Sequence, residues 1–136
     1  METIADAVDQ LRDSYAALNR RDIDGTMAVL DEHATWVEHS DMPEAGSYRG
    51  RDTIRNFLEQ FLDSWDDFEQ HIEEVHTEED CVLLFIRLTA SGRGSGIDVQ
   101  SRYAHLWIMR DDRAVRVDAY YDRDSALAAL RAAHGG

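Results

Sequence analysis

Lysine is absent from the sequence, and cysteine and proline occur once each, as Cys81 and Pro43. One thiol excludes an internal disulfide and any zinc or iron–sulfur site built on several cysteines. It suits a reducing compartment, so a cytoplasmic location is expected. Long hydrophobic runs are missing as well. Nothing approaches the ~18 apolar residues that cross a bilayer, and Met1-Glu2-Thr3-Ile4-Ala5-Asp6 lacks the basic region of a secretory leader. Positive charge is scarce: 14 arginines stand against 28 acidic residues, a formal net charge of -14. That sign suits neither phosphate backbones nor anionic headgroups, so no nucleic acid and no membrane surface is an expected partner. Aspartate outnumbers glutamate, whereas heat adaptation enriches lysine and glutamate. Two accounts of the composition stay open: a GC-rich genome that replaced lysine by arginine, and an acidic surface adapted to high salt, where self-repulsion is screened.

Apolar residues, 43% of the 136, suffice for one core and a single domain over 1–136. Ile4, Val8, Leu11, Tyr15 and Leu18 step by four and three, the spacing of one helical face. Asp22 can cap a second, short helix through Met27 and Leu30, whose first turn Gly25 weakens. Ala34 to Glu38 reads as a strand. The stretch from Ser40 to Gly50, with Pro43, Gly46 and Gly50, reads as one long loop of the kind that forms lids. Asp52 is the expected cap of a third helix carrying Ile54, Phe57, Leu58, Phe61 and Leu62. Beyond Trp65 the period becomes strand-like, with segments at 66–78, 81–92, 97–110 and 113–122, and Asp124 then caps a last helix. Gly92-Arg93-Gly94-Ser95-Gly96 is a hairpin loop rather than a phosphate cradle, because a strand follows it and not a helix. Helices followed by an antiparallel meander give the α+β pattern, with helices on one face of the sheet.

Tyr15 to Gly25, then Ala34-Thr35-Trp36, then Tyr48-Arg49-Gly50-Arg51-Asp52-Thr53-Ile54 resemble the SnoaL-like branch of the nuclear transport factor 2-like superfamily. Ala104-His105-Leu106-Trp107 and Tyr120-Tyr121-Asp122-Arg123 are similar to a bacterial subgroup of it. The resemblance implies a conical α+β barrel, with N-terminal helices packed in the concave face of a curved, mainly antiparallel sheet around an apolar pocket. Ketosteroid isomerases, polyketide cyclases, limonene epoxide hydrolases and non-enzymatic binders share that fold, which does not choose among them.

In the isomerases the first strand carries a carboxylate base, and a gapless comparison puts Glu38 there, as a general base. The donors that meet the enolate would fall at Ser14, which is short, and at Ala104, which cannot donate. The isomerases' usual mechanism is therefore not expected. Arg102 stands where the epoxide hydrolases have their arginine, but their two acids would fall near Ala104 and Ala119. For a cyclase-type aspartate the nearby residues are Asp118 and Asp122, and alternation turns Asp118 away from Val117, Ala119 and Tyr121. The expected pocket therefore has Trp36, Phe57, Phe61, Leu106, Val117, Ala119 and Tyr121 as walls, with Glu38, Arg102 and Ser14 as its polar set. Its expected occupant is a small hydrophobic molecule, either transformed with Glu38 or only bound.

Neither a metal nor a cofactor is expected. Of His33, Glu38, His39 and Asp41, the adjacent Glu38 and His39 point to opposite faces of a strand and cannot both ligate one ion without a bulge. Of His71, Glu73 and His76, the pair His71 and Glu73 shares a face but reads as part of an exposed acidic strand. Cys81, beside Glu78, Glu79 and Asp80, is read as structural. Tyr103, His105, Trp107 and Met109 alternate along one strand. With the helices assigned to the side of Arg102, Ala104 and Leu106, this aromatic row would lie outside and pair a homodimer.

Overall fold

Local signals account for most element boundaries in the computed structural model, which describes residues 3–39 and 46–135. Helix α1 (Ile4–Asn19) opens with a capping box: Thr3 Oγ1 accepts from the Asp6 amide at 3.2 Å, and the Asp6 carboxylate accepts from the Thr3 amide at 3.0 Å. Past its end, Arg21 takes φ 62° and sends its guanidinium to the carbonyls of Leu62, Trp65 and Asp66. Asp22 caps α2 (Ile23–Met27) by accepting from the Gly25 amide at 3.0 Å. A Cβ at Gly25 would stand 2.5 Å from Asp22 Oδ2, the carboxylate's other oxygen, so a side chain there would push the cap aside.

The remaining elements are β1 (Leu30–His39), β2 (Gly46–Arg49), α3 (Arg51–Asp63), β3 (Trp65–Glu78), β4 (Cys81–Gly92), β5 (Asp98–Arg110), β6 (Arg113–Tyr120) and α4 (Arg123–Gly135). Apart from shifts of one or two residues at the ends of β3, β5 and β6, four features differ from the sequence reading. Leu30 begins a strand instead of ending a helix. Residues 46–49 form an edge strand on β1 rather than loop, while the rest of the expected lid, 40–45, lies outside the described residues. Helix α3 starts one residue before Asp52, with Gly50 as a cap that offers no side chain. In front of α4 the capping carboxylate is that of Asp122, which accepts from the Ser125 amide at 2.8 Å.

The strands form one sheet in the order β2-β1-β6-β5-β4-β3. Every neighbouring pair is antiparallel except β1 and β6, which run parallel. The sheet is curved and unclosed, with β2 and β3 as its edges. Its concave face packs on α1, α2 and α3 through a core that includes Leu11, Met27, Ile54, Val82, Leu84, Ile86, Trp107 and Val117. On the convex face, Cys81, Leu83, Phe85, Ala104 and Leu106 pack against Ala126 and Leu130 of α4.

That second core overturns the proposed homodimer face. Tyr103, His105, Trp107 and Met109 point into the concave side, with Trp107 only 3% exposed, and the small residues between them lie beneath α4. The last helix returns over the outside of the sheet, so both faces of β5 are covered and the aromatic row is core and cavity wall.

Candidate functional site

Between α1, α3 and the concave face lies a cavity of about 1010 Å³. Helix α1 contributes Ser14, Tyr15 and Leu18, and α3 contributes Phe57, Leu58 and Phe61 from its buried stripe. The sheet supplies Trp36 and Glu38 from β1, Trp65 and Gln70 from β3, Leu88 from β4, and Ser101, Tyr103, His105 and Trp107 from β5. Tyr121, Asp122, Ser125 and His39 line its mouth. The walls are mostly aromatic and aliphatic with a few convergent polar groups, the composition of a small-molecule site.

Six of the ten side chains proposed from sequence line this cavity: Ser14, Trp36, Glu38, Phe57, Phe61 and Tyr121. Ser14 is committed elsewhere, donating its hydroxyl to the Thr26 carbonyl at 2.9 Å and so tying α1 to α2. The other four do not line it. Val117 and Ala119 are on the concave face but fully covered. Leu106 sits on the convex face, opposite Asp118 in the register and under α4. Arg102 is also on the convex face, largely exposed, and pairs with Glu73 at 3.0 Å. The cause is the period of two in a strand: Trp107, not Leu106, is level with Val117, so assigning Leu106 and Arg102 to the concave wall exchanged the two sides.

Glu38 is held at the wall by two donors. The Trp36 indole N–H reaches Oε1 at 2.8 Å and the Tyr121 hydroxyl reaches Oε2 at 2.5 Å. Burial, together with the hydrogen bond to Glu38, pushes the Tyr121 hydroxyl above the usual phenol range. Glu38 is level with Ala119 of β6, and Ala119 is level with His105 of β5. Carboxylate and imidazole thus rise from the same face two strands apart, about 10 Å between α-carbons.

His105 was not proposed as a site residue. It is 6% exposed, its Nδ1 lies 2.5 Å from the Tyr15 hydroxyl, and that hydroxyl receives the Trp107 indole N–H at 3.0 Å. Burial pulls the His105 pKa down to about 3 and pushes that of Tyr15 well up. Gln70 donates to the Tyr103 hydroxyl, and Tyr103 is likewise raised, first by burial. Tyr15 and His105 each stand one residue beyond the positions, Ser14 and Ala104, where the gapless comparison found no donors.

The remaining candidates have structural roles. His39 lies flat on Tyr120, at 4.5 Å, and binds Asp118 at 2.7 Å. Burial raises the Asp118 pKa, but hydrogen bonds from Arg116 and His39 outweigh it and the net shift is downward. As expected, Asp118 does not line the cavity. Burial and Asp80 hold the Cys81 thiol up at about 11, so it is no nucleophile at neutral pH. Among the described residues no group of three or more histidine, cysteine or acidic side chains gathers to hold a metal, and Asp41 lies outside them. No helix among them is long and apolar enough to cross a membrane.

No curated protein matches the chain. Among solved structures, an NTF2-like protein from Burkholderia thailandensis is 27% identical, with a TM-score of 0.73 over 90% of this chain and 95% of that one. TerC, co-crystallised with polyporic acid, is 22% identical, with a TM-score of 0.75 over 91% and 97% of the two chains. A SnoaL-like polyketide cyclase candidate from Jannaschia sp. is 18% identical, with a TM-score of 0.68 over 91% and 93%. These likenesses agree with the cone of helices and curved sheet. The sequence itself matches the SnoaL-like domain over residues 11–117, from within α1 through most of β6, and on that match the chain belongs to the SnoaL-like family.

Proposed function

We propose that the protein performs acid–base chemistry on a small hydrophobic carbonyl compound, with Glu38 as the base. The observation that supports this most is a carboxylate fixed by Trp36 and Tyr121 on the wall of a mostly apolar cavity. Each oxygen accepts one hydrogen bond and keeps a lone pair for a substrate proton. In the reaction, Glu38 takes a proton from the carbon beside the carbonyl, and the C–H electron pair becomes the C=C bond of an enolate. The enolate then either takes the proton back from Glu38 at another carbon, an isomerisation, or attacks a second carbonyl of the same molecule, whose alkoxide takes the proton from Glu38, a cyclisation. The single, buried thiol fits a cytoplasmic setting for this chemistry.

A second reading has its own support: with both oxygens of Glu38 already holding donors, the carboxylate can serve purely as an anchor in a binding protein. Proton exchange separates the two. Hydrophobic ketones such as 2-tetralone, incubated with the protein in deuterium oxide, should exchange their α-hydrogens. Glu38→Gln should slow that exchange by ~100-fold or more. Ketones that bind without any catalysed exchange would establish the binder and remove the base.

A further inference from the structure

One hydrogen-bond chain in the cavity has a fixed direction. The Trp107 indole can only donate, so the Tyr15 oxygen accepts from it at 3.0 Å. Tyr15 then turns its own proton toward its other neighbour, His105 Nδ1, at 2.5 Å. A ring nitrogen that accepts a proton does not carry one, so the hydrogen of the neutral imidazole sits on Nε2. Burial keeps the ring neutral, and Trp36 and Tyr103, each with ring centroids 5.0 Å from it, hold its plane. Among the described residues none accepts a hydrogen bond from Nε2, yet this nitrogen is not one of the buried polar atoms left without a partner. His105 lines the cavity with Nδ1 committed to Tyr15, which leaves Nε2 as the ring nitrogen for a ligand there.

We propose that the Nε2–H of His105 is the donor for the ligand's carbonyl oxygen, with Tyr15 and Trp107 as positioning residues that set its tautomer. This deepens, and rests on, the acid–base reading of Glu38, which faces it across Ala119. As Glu38 removes the α-proton, the carbonyl π pair moves onto oxygen, and the neutral donor meets the growing charge while keeping its own proton. A preorganised donor in a water-poor site does most for an oxygen that gains charge during the reaction. Charge narrows the substrate class further. Among the described residues no arginine lines the cavity, and the acids that do are Glu38 and Asp122, so a carboxylate or phosphate on the substrate would meet like charge. The structure assigns a neutral hydrophobic ketone or 1,3-dicarbonyl with an acidic C–H, not an anion.

Two spectroscopic measurements test this without relying on turnover. Nitrogen-15 NMR of the wild-type ring should show the proton on Nε2, a bare Nδ1, and no titration between about pH 5 and 8. The infrared carbonyl band of 2-tetralone should fall in frequency on binding. His105→Phe should abolish that fall, His105→Gln, which keeps an N–H donor, should restore part of it, and Tyr15→Phe should mix the tautomers and weaken it. Glu38→Gln should leave the fall intact while losing exchange, so a failed base and a failed donor give different results. A proton on Nδ1, an imidazolium, a band unmoved by the wild-type protein, or a full fall in His105→Phe would each overturn the assignment.

Discussion

The two sides of β4 and β5 are both buried but built differently. Toward α4 they present Cys81, Leu83, Phe85, Ala104 and Leu106, a seam of mostly small and aliphatic side chains. Toward α1 they present Val82, Leu84 and Ile86 from β4, and Tyr103, His105, Trp107 and Met109 from β5. There the sheet curves away from the helices, and bulky rings carrying polar atoms edge the remaining space. A contact with one helix is filled mainly by aliphatic side chains. A concave one needs large side chains, and their hydroxyl, indole and imidazole groups bring hydrogen bonding into the hollow with them. Chemistry on this scaffold therefore belongs to the concave side.

The largest expected effect tests whether the convex seam is a core in its own right. Leu106→Asp buries a carboxylate between sheet and α4, and should destabilise by more than ~4 kcal/mol or prevent folding. A soluble variant with an unchanged melting curve would make that face a surface after all. On the concave side, Tyr15→Phe keeps the ring but strands the Trp107 N–H and His105 Nδ1. Urea titration should record a loss of about 1–3 kcal/mol, and no loss would mean that the buried relay carries no stability. Read per pH unit, the smallest effect is a slope. His105 has its pKa depressed to about 3, so between that value and the ordinary ~6.5 the unfolded chain binds the extra proton, and stability falls with acid. Wild type should lose up to ~1.4 kcal/mol per pH unit more than His105→Gln across that window. Equal slopes would place the imidazole in contact with water.

Much of the fold was legible in the sequence. Helical spacing from Ile4 to Leu18 and from Ile54 to Leu62, and turns at Glu79-Asp80 and Asp111-Asp112, set the element order that the structure has. The site was legible only where strand parity was read correctly. Glu38, Trp36 and Tyr121 share a face with Val117 and were placed together, whereas Arg102 and Leu106 were drawn into the same set from the opposite face. A usable signal was the unbroken apolar run Cys81-Val82-Leu83-Leu84-Phe85-Ile86. Such a run marks a strand covered on both sides, which requires something outside the sheet and frees the aromatic row of β5 to point inward. Edge strand β2 had no comparable signal, since four residues containing Gly46 and Ser47 show neither alternation nor β-branching, and only pairing to β1 makes them a strand.

The parallel join between β1 and β6 sets the order in which the cavity can be completed. Trp36 is paired with Val117, so Glu38 comes opposite His105 only after β6 has slotted between β1 and β5. The β3–β4–β5 meander zips through tight turns, but the β1–β6 contact closes a loop of most of the chain, the slow kind of event that raises contact order and delays folding. Completion of the binding site is therefore expected as a late step of folding. Refolding followed by Trp107 fluorescence should run ahead of recovered ketone binding if that order holds.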